Sequence, residues 1–210
     1  MNFLYYYFNF VFTYILFSFI GFCLDSKFEY LEYKIQEKDP NKILKTYVKI
    51  FPTVMKNVVL YSFPYFYFIS FFENYRNKSF SVRDTATDLI SAHLLIDIFF
   101  YSIHRFFHLP FMYKYHKKHH ELKAPIAFGA LYMDKLDLYG NLVSVTVPLV
   151  ILSSTYVTIQ IFITTTIINT LFVAHGSYKG ISENHDIHHE KFVYNYGIDI
   201  FMDRLFGTKY

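Results

Sequence analysis

Two long stretches of the chain carry no charged side chain, residues 1–24 and residues 138–174. About 20 apolar residues cross a bilayer core as one helix, and about 40 make a helical hairpin. The first run therefore predicts one membrane helix and the second a pair, turning at Ser153, Ser154 and Thr155. Two shorter stretches extend the pattern. Residues 50–72 are charged only at Lys56 and include Pro52 and Pro64, which membrane helices tolerate. Residues 89–103 set His93 and Asp97 in an apolar frame. The expectation is an all-α integral membrane bundle of four or five transmembrane or hairpin helices. Residues 1–24 lack a basic start and a small-residue cleavage site, so they read as a retained anchor rather than a signal peptide.

Composition agrees with this reading. Hydrophobic residues make up 53% and aromatic ones 22%, while only 18% are charged. That balance belongs to membrane proteins. The net charge of +3 is too small to suggest nucleic-acid binding and fits loop topology and anionic headgroups. Lys and Arg number six in residues 25–49, three in 73–88 and five in 104–123. The positive-inside rule then puts the first and third of these loops in the cytosol. Residues 25–49 read as a solvated or membrane-surface helix broken at Asp39 and Pro40, with no catalytic signal.

The candidate chemistry is histidine. Eight of the ten histidines form three boxes: His104 and His108; His116, His119 and His120; His185, His188 and His189. Residues three and four apart share a helix face, so each box projects its imidazoles together. Neutral imidazole ligates iron, zinc, copper or nickel. Cys23 is the single cysteine, which excludes thiolate zinc and iron–sulfur motifs. The boxes meet on one membrane face only if residues 138–174 form a hairpin; a single helix there would separate them. An ion or proton transporter would place its histidines within the spans, and only His93 lies so. His93 reads as a packed or hydrogen-bonded residue.

These residues carry a resemblance. Asp97, Tyr101, His104, Arg105 and His108, then residues 113–121 (YKYHKKHHE) with Ala124 and Pro125, resemble the first half of the fatty acid hydroxylase / sterol desaturase superfamily. The similarity is closest to its C-4 methylsterol oxidase branch. His185 to Glu190, Asn195-Tyr196-Gly197 and residues 203–208 (DRLFGT) resemble that family's last box and tail. The match runs over residues 89–210, behind anchor helices and a polar loop in 1–88, in one membrane-embedded domain of 1–210.

The resemblance implies a membrane oxygenase with a histidine-rich di-metal cap facing the cytosol. It implies two iron ions, dioxygen, and electrons from NAD(P)H, commonly through cytochrome b5 or a reductase. The substrate would be a lipid or sterol drawn from the bilayer, and the compartment the endoplasmic reticulum. The implied ligands are His104, His108, His116, His119, His120, His185, His188 and His189. His175 is either a ninth ligand or a hydrogen-bonded residue at the hairpin's end; its His-Gly-Ser-Tyr setting transposes the Ser/Thr and Gly of relatives. Asp134 stands where relatives carry a metal-site histidine, and either ligates or caps a helix. Asp137 and Asp97 are candidates to orient a ligand histidine, Asp97 being costly in a membrane unless paired.

The activity implied first is sterol C-4 methyl hydroxylation. Sterol C-5 desaturation and fatty acid hydroxylation stay open. So does a catalytically silent protein that keeps the cluster as a metal clip on a lipid-binding scaffold.

Overall fold

A computed structural model describes residues 3–72, 80–198 and 201–210. Met1, Asn2 and residues 73–79 of the second loop, with the Arg76 and Lys78 counted there, lie outside the described residues. Among the described residues every element is helical, and one isolated antiparallel bridge pairs Lys34 with Tyr178. The longer helices are α1 (Phe3–Asp25), α3 (Pro40–Met55), α4 (Ser62–Ile69), α5 (Val82–Phe107), α7 (Lys135–Leu152), α8 (Tyr156–Ile168) and α9 (Glu183–Lys191). The short α2 (Phe28–Leu31), α6 (Tyr113–His116) and α10 (Phe201–Leu205) lie in the connections.

Four of these runs are long and apolar enough to cross a membrane: Phe3–Asp25, Val82–Phe107, Lys135–Leu152 and Tyr156–Ala174. The last two are the expected hairpin. Ser153 ends α7 in the left-handed region at φ 50°, and the Thr155 hydroxyl caps α8 by accepting from Thr158 N at 3.3 Å. Ser81 caps α5 in the same way, accepting from Asp84 N.

Residues 50–72 are not among the four, yet they traverse the bundle. α3 passes through a π-helical segment, Lys56–Tyr61, into α4, and the whole run lies antiparallel to α1. Tyr47 packs on Phe22, the Tyr7 hydroxyl donates to Val59 O at 2.9 Å, and Phe63 packs on Phe3. Polar side chains lower its apolarity for a reason: Asn57 is buried and donates to Leu131 O at 2.7 Å and to Met133 O at 3.0 Å. From α1, the buried Tyr14 hydroxyl donates to Phe128 O at 2.8 Å and accepts from Leu131 N at 3.2 Å.

Interhelical hydrogen bonds in membranes contribute only about 0.6 kcal/mol each on average. These bonds therefore set the path of residues 127–133, and close packing supplies most of the cohesion. Val54, Val58, Leu138 and Leu171 are fully enclosed in that packing. Phe12, Ile90 and Leu94 point outward and are more than 60% exposed, as a lipid-facing surface requires.

One end of the bundle gathers the polar chemistry. The C-termini of α1 and α5, the N-termini of α3 and α7, and the segment after α8 all meet there. Tyr47 reaches Asp25, Asp137 reaches His116, and His175 reaches His119. At the opposite end Thr158 bonds Thr85 and Tyr5 packs on Tyr156. Residues 25–49 depart from a wholly solvated surface element, because Asp25 and Lys34 are buried. They form an ion pair that a mixed-charge pattern does not reveal.

Candidate metal centre

Each histidine box is delivered by a different local structure. The last turns of α5 and its C-cap present His104 and His108 four residues apart. α6 ends at His116, and a 3-10 turn, His119–Glu121, carries His119 and His120. α9 presents His185, His188 and His189. His175 follows a π-helical turn, Asn169–Ala174, that tightens the end of the hairpin.

The nine side chains converge as two groups, and within each the ligand nitrogens lie within 4.8 Å of one another. His104, His108, His116, His120 and His188 form the first group; His119, His175, His185 and His189 form the second. The groups adjoin, with the His120 and His189 rings 4.7 Å apart between centroids. The boxes interleave: His116 and His120 share the first group while His119 crosses to the second, and His185 and His189 share the second while His188 crosses to the first.

In four of the nine histidines a hydrogen bond at Nδ1 defines the state of Nε2. Nδ1 of His104 faces Tyr196 O at 2.8 Å, that of His188 faces Tyr194 O at 2.7 Å, and that of His175 faces Thr170 O at 2.8 Å. Nδ1 of His116 faces Asp137 Oδ2 at 2.7 Å. Carbonyl and carboxylate oxygens only accept, so each Nδ1 carries the proton and each Nε2 is left with a lone pair. His104 Nε2 and His116 Nε2 nevertheless sit 3.1 Å apart. With both rings neutral, two lone pairs at that distance repel unless a cation is shared.

The same spacing, 3.0–3.3 Å, recurs between Nε2 atoms of His116 and His120, His120 and His108, His119 and His175, His175 and His185, and His185 and His189. Nitrogens about 2.1 Å from a common ion are about 3.0 Å apart at right angles and about 3.4 Å apart in a tetrahedron. Among the described residues the buried His188 Nε2 has no hydrogen-bond partner, as a metal-directed nitrogen would not. The donor set thus fits a pair of ions with nitrogen ligands.

Electrostatics point the same way. Burial, with neighbouring imidazoles adding to it, pushes His119, His120, His185 and His189 far below the ordinary histidine value. Burial lowers His108 to about 2, His188 to about 3 and His175 to about 4. These rings are neutral at pH 7, the form that binds metal.

The surrounding residues hold this geometry. Asp137, fully buried near the start of α7, pairs with His116 and accepts from Asn141 Nδ2 at 3.0 Å. Residues 194–198 and 201–208 flank the cluster, and the carbonyls of Tyr196 and Tyr194 face His104 and His188. The Asp203 carboxylate accepts from Tyr196 N at 2.8 Å and Gly197 N at 2.7 Å, and Thr208 Oγ1 donates to it. Asp97 accepts from Ile198 N at 2.9 Å and Met202 N at 3.1 Å, the first of them two residues after Tyr196, whose carbonyl faces His104. Gly197 leaves no room for a side chain, since a Cβ would stand 2.7 Å from Asp97 Oδ1 and 2.9 Å from Asp203 Oδ2.

Asp134 is in neither histidine group; its carboxylate caps α7, accepting from Leu136 N at 3.0 Å. His93 lies on α5 along the wall of the cavity, also outside both groups. Sequence reasoning missed the role of Asp203 although its motif was in view. It also missed the carbonyls of Tyr194 and Tyr196, which no side-chain pattern could announce.

A cavity of about 160 Å³ runs from the histidines into the bundle. His104, His116, His119, His175 and His185 line one part, and Phe10, Phe66, Ile96, Leu142 and Ile163 another. The polar centre therefore opens onto hydrocarbon-like walls.

Bundle and cluster together define an integral membrane protein whose histidines can hold two metal ions beside an apolar cavity. Residues 89–208, more than half of the chain, match the family described as Fatty acid hydroxylase, and the chain belongs to that family. It is 32% identical over 189 residues to fatty acid hydroxylase ahd1 of Mycosarcoma maydis, covering 84% of this chain and 49% of that protein. It is 35% identical over 121 residues to fatty acid hydroxylase domain-containing protein 2 of Homo sapiens, covering 55% and 36%. Methylsterol monooxygenase 1 of Rattus norvegicus is 27% identical over 215 residues, covering 93% and 73%. The chain thus spans half or less of the first two relatives' length. No solved structure matches it.

Proposed function

We propose that this chain is a membrane oxygenase that inserts oxygen at an unactivated C–H bond of a lipid. The nine histidines would hold two iron ions, with dioxygen as oxidant and electrons from NAD(P)H, reaching the site through a cytochrome b5-type donor or a reductase. The observation that carries the reading is the set of Nε2 nitrogens converging at 3.0–3.3 Å at one end of an apolar cavity. Bound iron supplies the redox chemistry that breaking such a C–H bond demands, and which zinc lacks.

The remaining work falls to the chain. Apolar walls such as Ile96, Leu142 and Ile163 would take the hydrocarbon and orient it towards the imidazoles while excluding water. Asp137 and the carbonyls of Tyr194 and Tyr196 fix the tautomers that direct Nε2 inward. The basic residues Arg105, Lys114, Lys117, Lys118 and Lys123 beside the first two boxes support a cytosolic face, where an electron donor has access. Residence in the endoplasmic reticulum is part of this proposal.

The substrate favoured is a 4-methylsterol, on the motif resemblance and on the likeness to methylsterol monooxygenase 1 across 93% of the chain. A second reading, hydroxylation of a fatty acyl chain, is favoured by the likeness to the hydroxylase ahd1. Lipid profiling of cells with and without the chain separates the two. Accumulation of 4-methylated sterols on its removal is the expected result. Unchanged sterols with loss of a hydroxylated acyl species would select the second, and an unchanged lipidome would contradict both.

A further inference from the structure

Residues 25–36 lie outside the matched region, yet they grip the metal centre. Asp25 ends α1, and its Oδ1 pairs with Lys34 Nζ at 2.7 Å with both side chains almost wholly buried. Lys34 Nζ also donates to Gly176 O at 2.7 Å and stands 4.3 Å above the Tyr178 ring. The hydroxyls of Tyr178 and Tyr47 donate to the two oxygens of Asp25 at 2.8 and 2.9 Å.

The backbone joins in: Ile35 N donates to Ser177 O and Lys179 N donates to Tyr33 O, both at 2.9 Å. Ser177 Oγ and Gln36 Nε2 then donate to Asp186 Oδ2 at 2.9 and 3.2 Å. Gly176 follows His175 and Asp186 follows His185, whose Nε2 atoms lie 3.1 Å apart in the four-histidine group. Gly176 admits no side chain, since a Cβ would stand 2.4 Å from Phe172 O.

Buried ion pairs seldom add net stability over an apolar replacement. One whose ammonium is spent on the carbonyl next to a metal-directed histidine has a geometric use instead. We propose that Asp25 and Lys34 are positioning residues for the four-histidine ion site, clamping the backbone on which His175 and His185 stand. This rests on the reading that each histidine group holds one ion. The five-histidine group is held chiefly elsewhere, by Asp137 and the carbonyls of Tyr194 and Tyr196, and shares only His188 with the clamped helix, so the clamp acts mainly on one ion.

The test is cobalt(II) titration of the metal-stripped full chain in detergent, following visible absorption, for wild type and for Asp25→Asn/Lys34→Met. The paired change removes both charges and leaves no lone buried ion. The wild type should bind two equivalents. The variant, with unchanged helicity and elution volume, should bind one equivalent with wild-type affinity and spectrum and the other at least about tenfold more weakly, the usual loss when an outer partner of a metal site goes.

Wild-type binding of both equivalents by the variant overturns the proposal, as does equal weakening of both, which marks a general staple. If the double variant does not accumulate, Tyr178→Phe keeps the ion pair and removes one bond to Asp25. It should weaken the same equivalent by a smaller factor; an undisturbed site there overturns the proposal too. A wild type that binds fewer than two equivalents fails the two-ion reading itself.

Discussion

Replacing His188 by alanine is expected to leave a folded bundle that holds one metal ion fewer and has lost lipid oxidation by at least about a thousandfold. His188 is fully buried, its ring lies 4.4 Å from that of His104 and 4.8 Å from that of His108, and its Nε2 has no hydrogen-bond partner among the described residues. Outer partners of metal ligands typically account for about 10–100-fold in affinity or activity, and a ligand should exceed that range. The fold should survive because the bundle is held by packing and by bonds remote from this ring, such as those of Tyr14 and Asn57. Metal analysis with thermal unfolding in detergent checks both parts. Full metal content and activity in the variant would remove His188 from the site.

The second large effect falls on Asp137. Asp137→Ala should weaken the five-histidine ion by about 10–100-fold and leave the four-histidine ion unchanged. Without the carboxylate, the His116 Nδ1–H is buried and unpaired, a cost of about 1–3 kcal/mol, which spans about the same range in affinity. Asp137→Asn should be milder, since an amide oxygen still accepts that proton while the charge is lost. A metal titration of both variants reads the order. Equal binding by wild type and Asp137→Ala would mean that His116 does not depend on its partner.

Much of this was legible in the chain because the relevant signals are periodic or compositional. The absence of charge over 138–174, broken at Ser153-Ser154-Thr155, gave away the hairpin. The boxes gave away the cluster. The partition was not legible, since each box was expected to project its imidazoles together, whereas in the fold only the pairs four residues apart (His104 and His108, His116 and His120, His185 and His189) share a group. The residue three along, His119 or the preceding neighbour His188, turns to the other group. That exchange ties the two groups together and becomes visible only when three separate elements are brought face to face.

What stayed hidden has no local signature. Lys34 and Asp25 look like ordinary loop charges until the chain, 142 positions further on, returns Gly176 beside the lysine. The fifth traversal is masked because Asn57 serves the 131–133 backbone rather than lipid. Asp134 kept two open roles from sequence, and in the fold its carboxylate caps α7 outside both histidine groups.

The proposed chemistry requires nine imidazoles to hold a pair of redox-active ions. Metal content of the full-length chain, purified in detergent from iron-supplied cells, tests it most directly, with X-ray absorption reporting the coordinating atoms. About two irons per chain, in a shell of histidine nitrogen at about 2.1 Å, are expected. A chain that binds no metal, or that keeps zinc through reconstitution with iron, would contradict it.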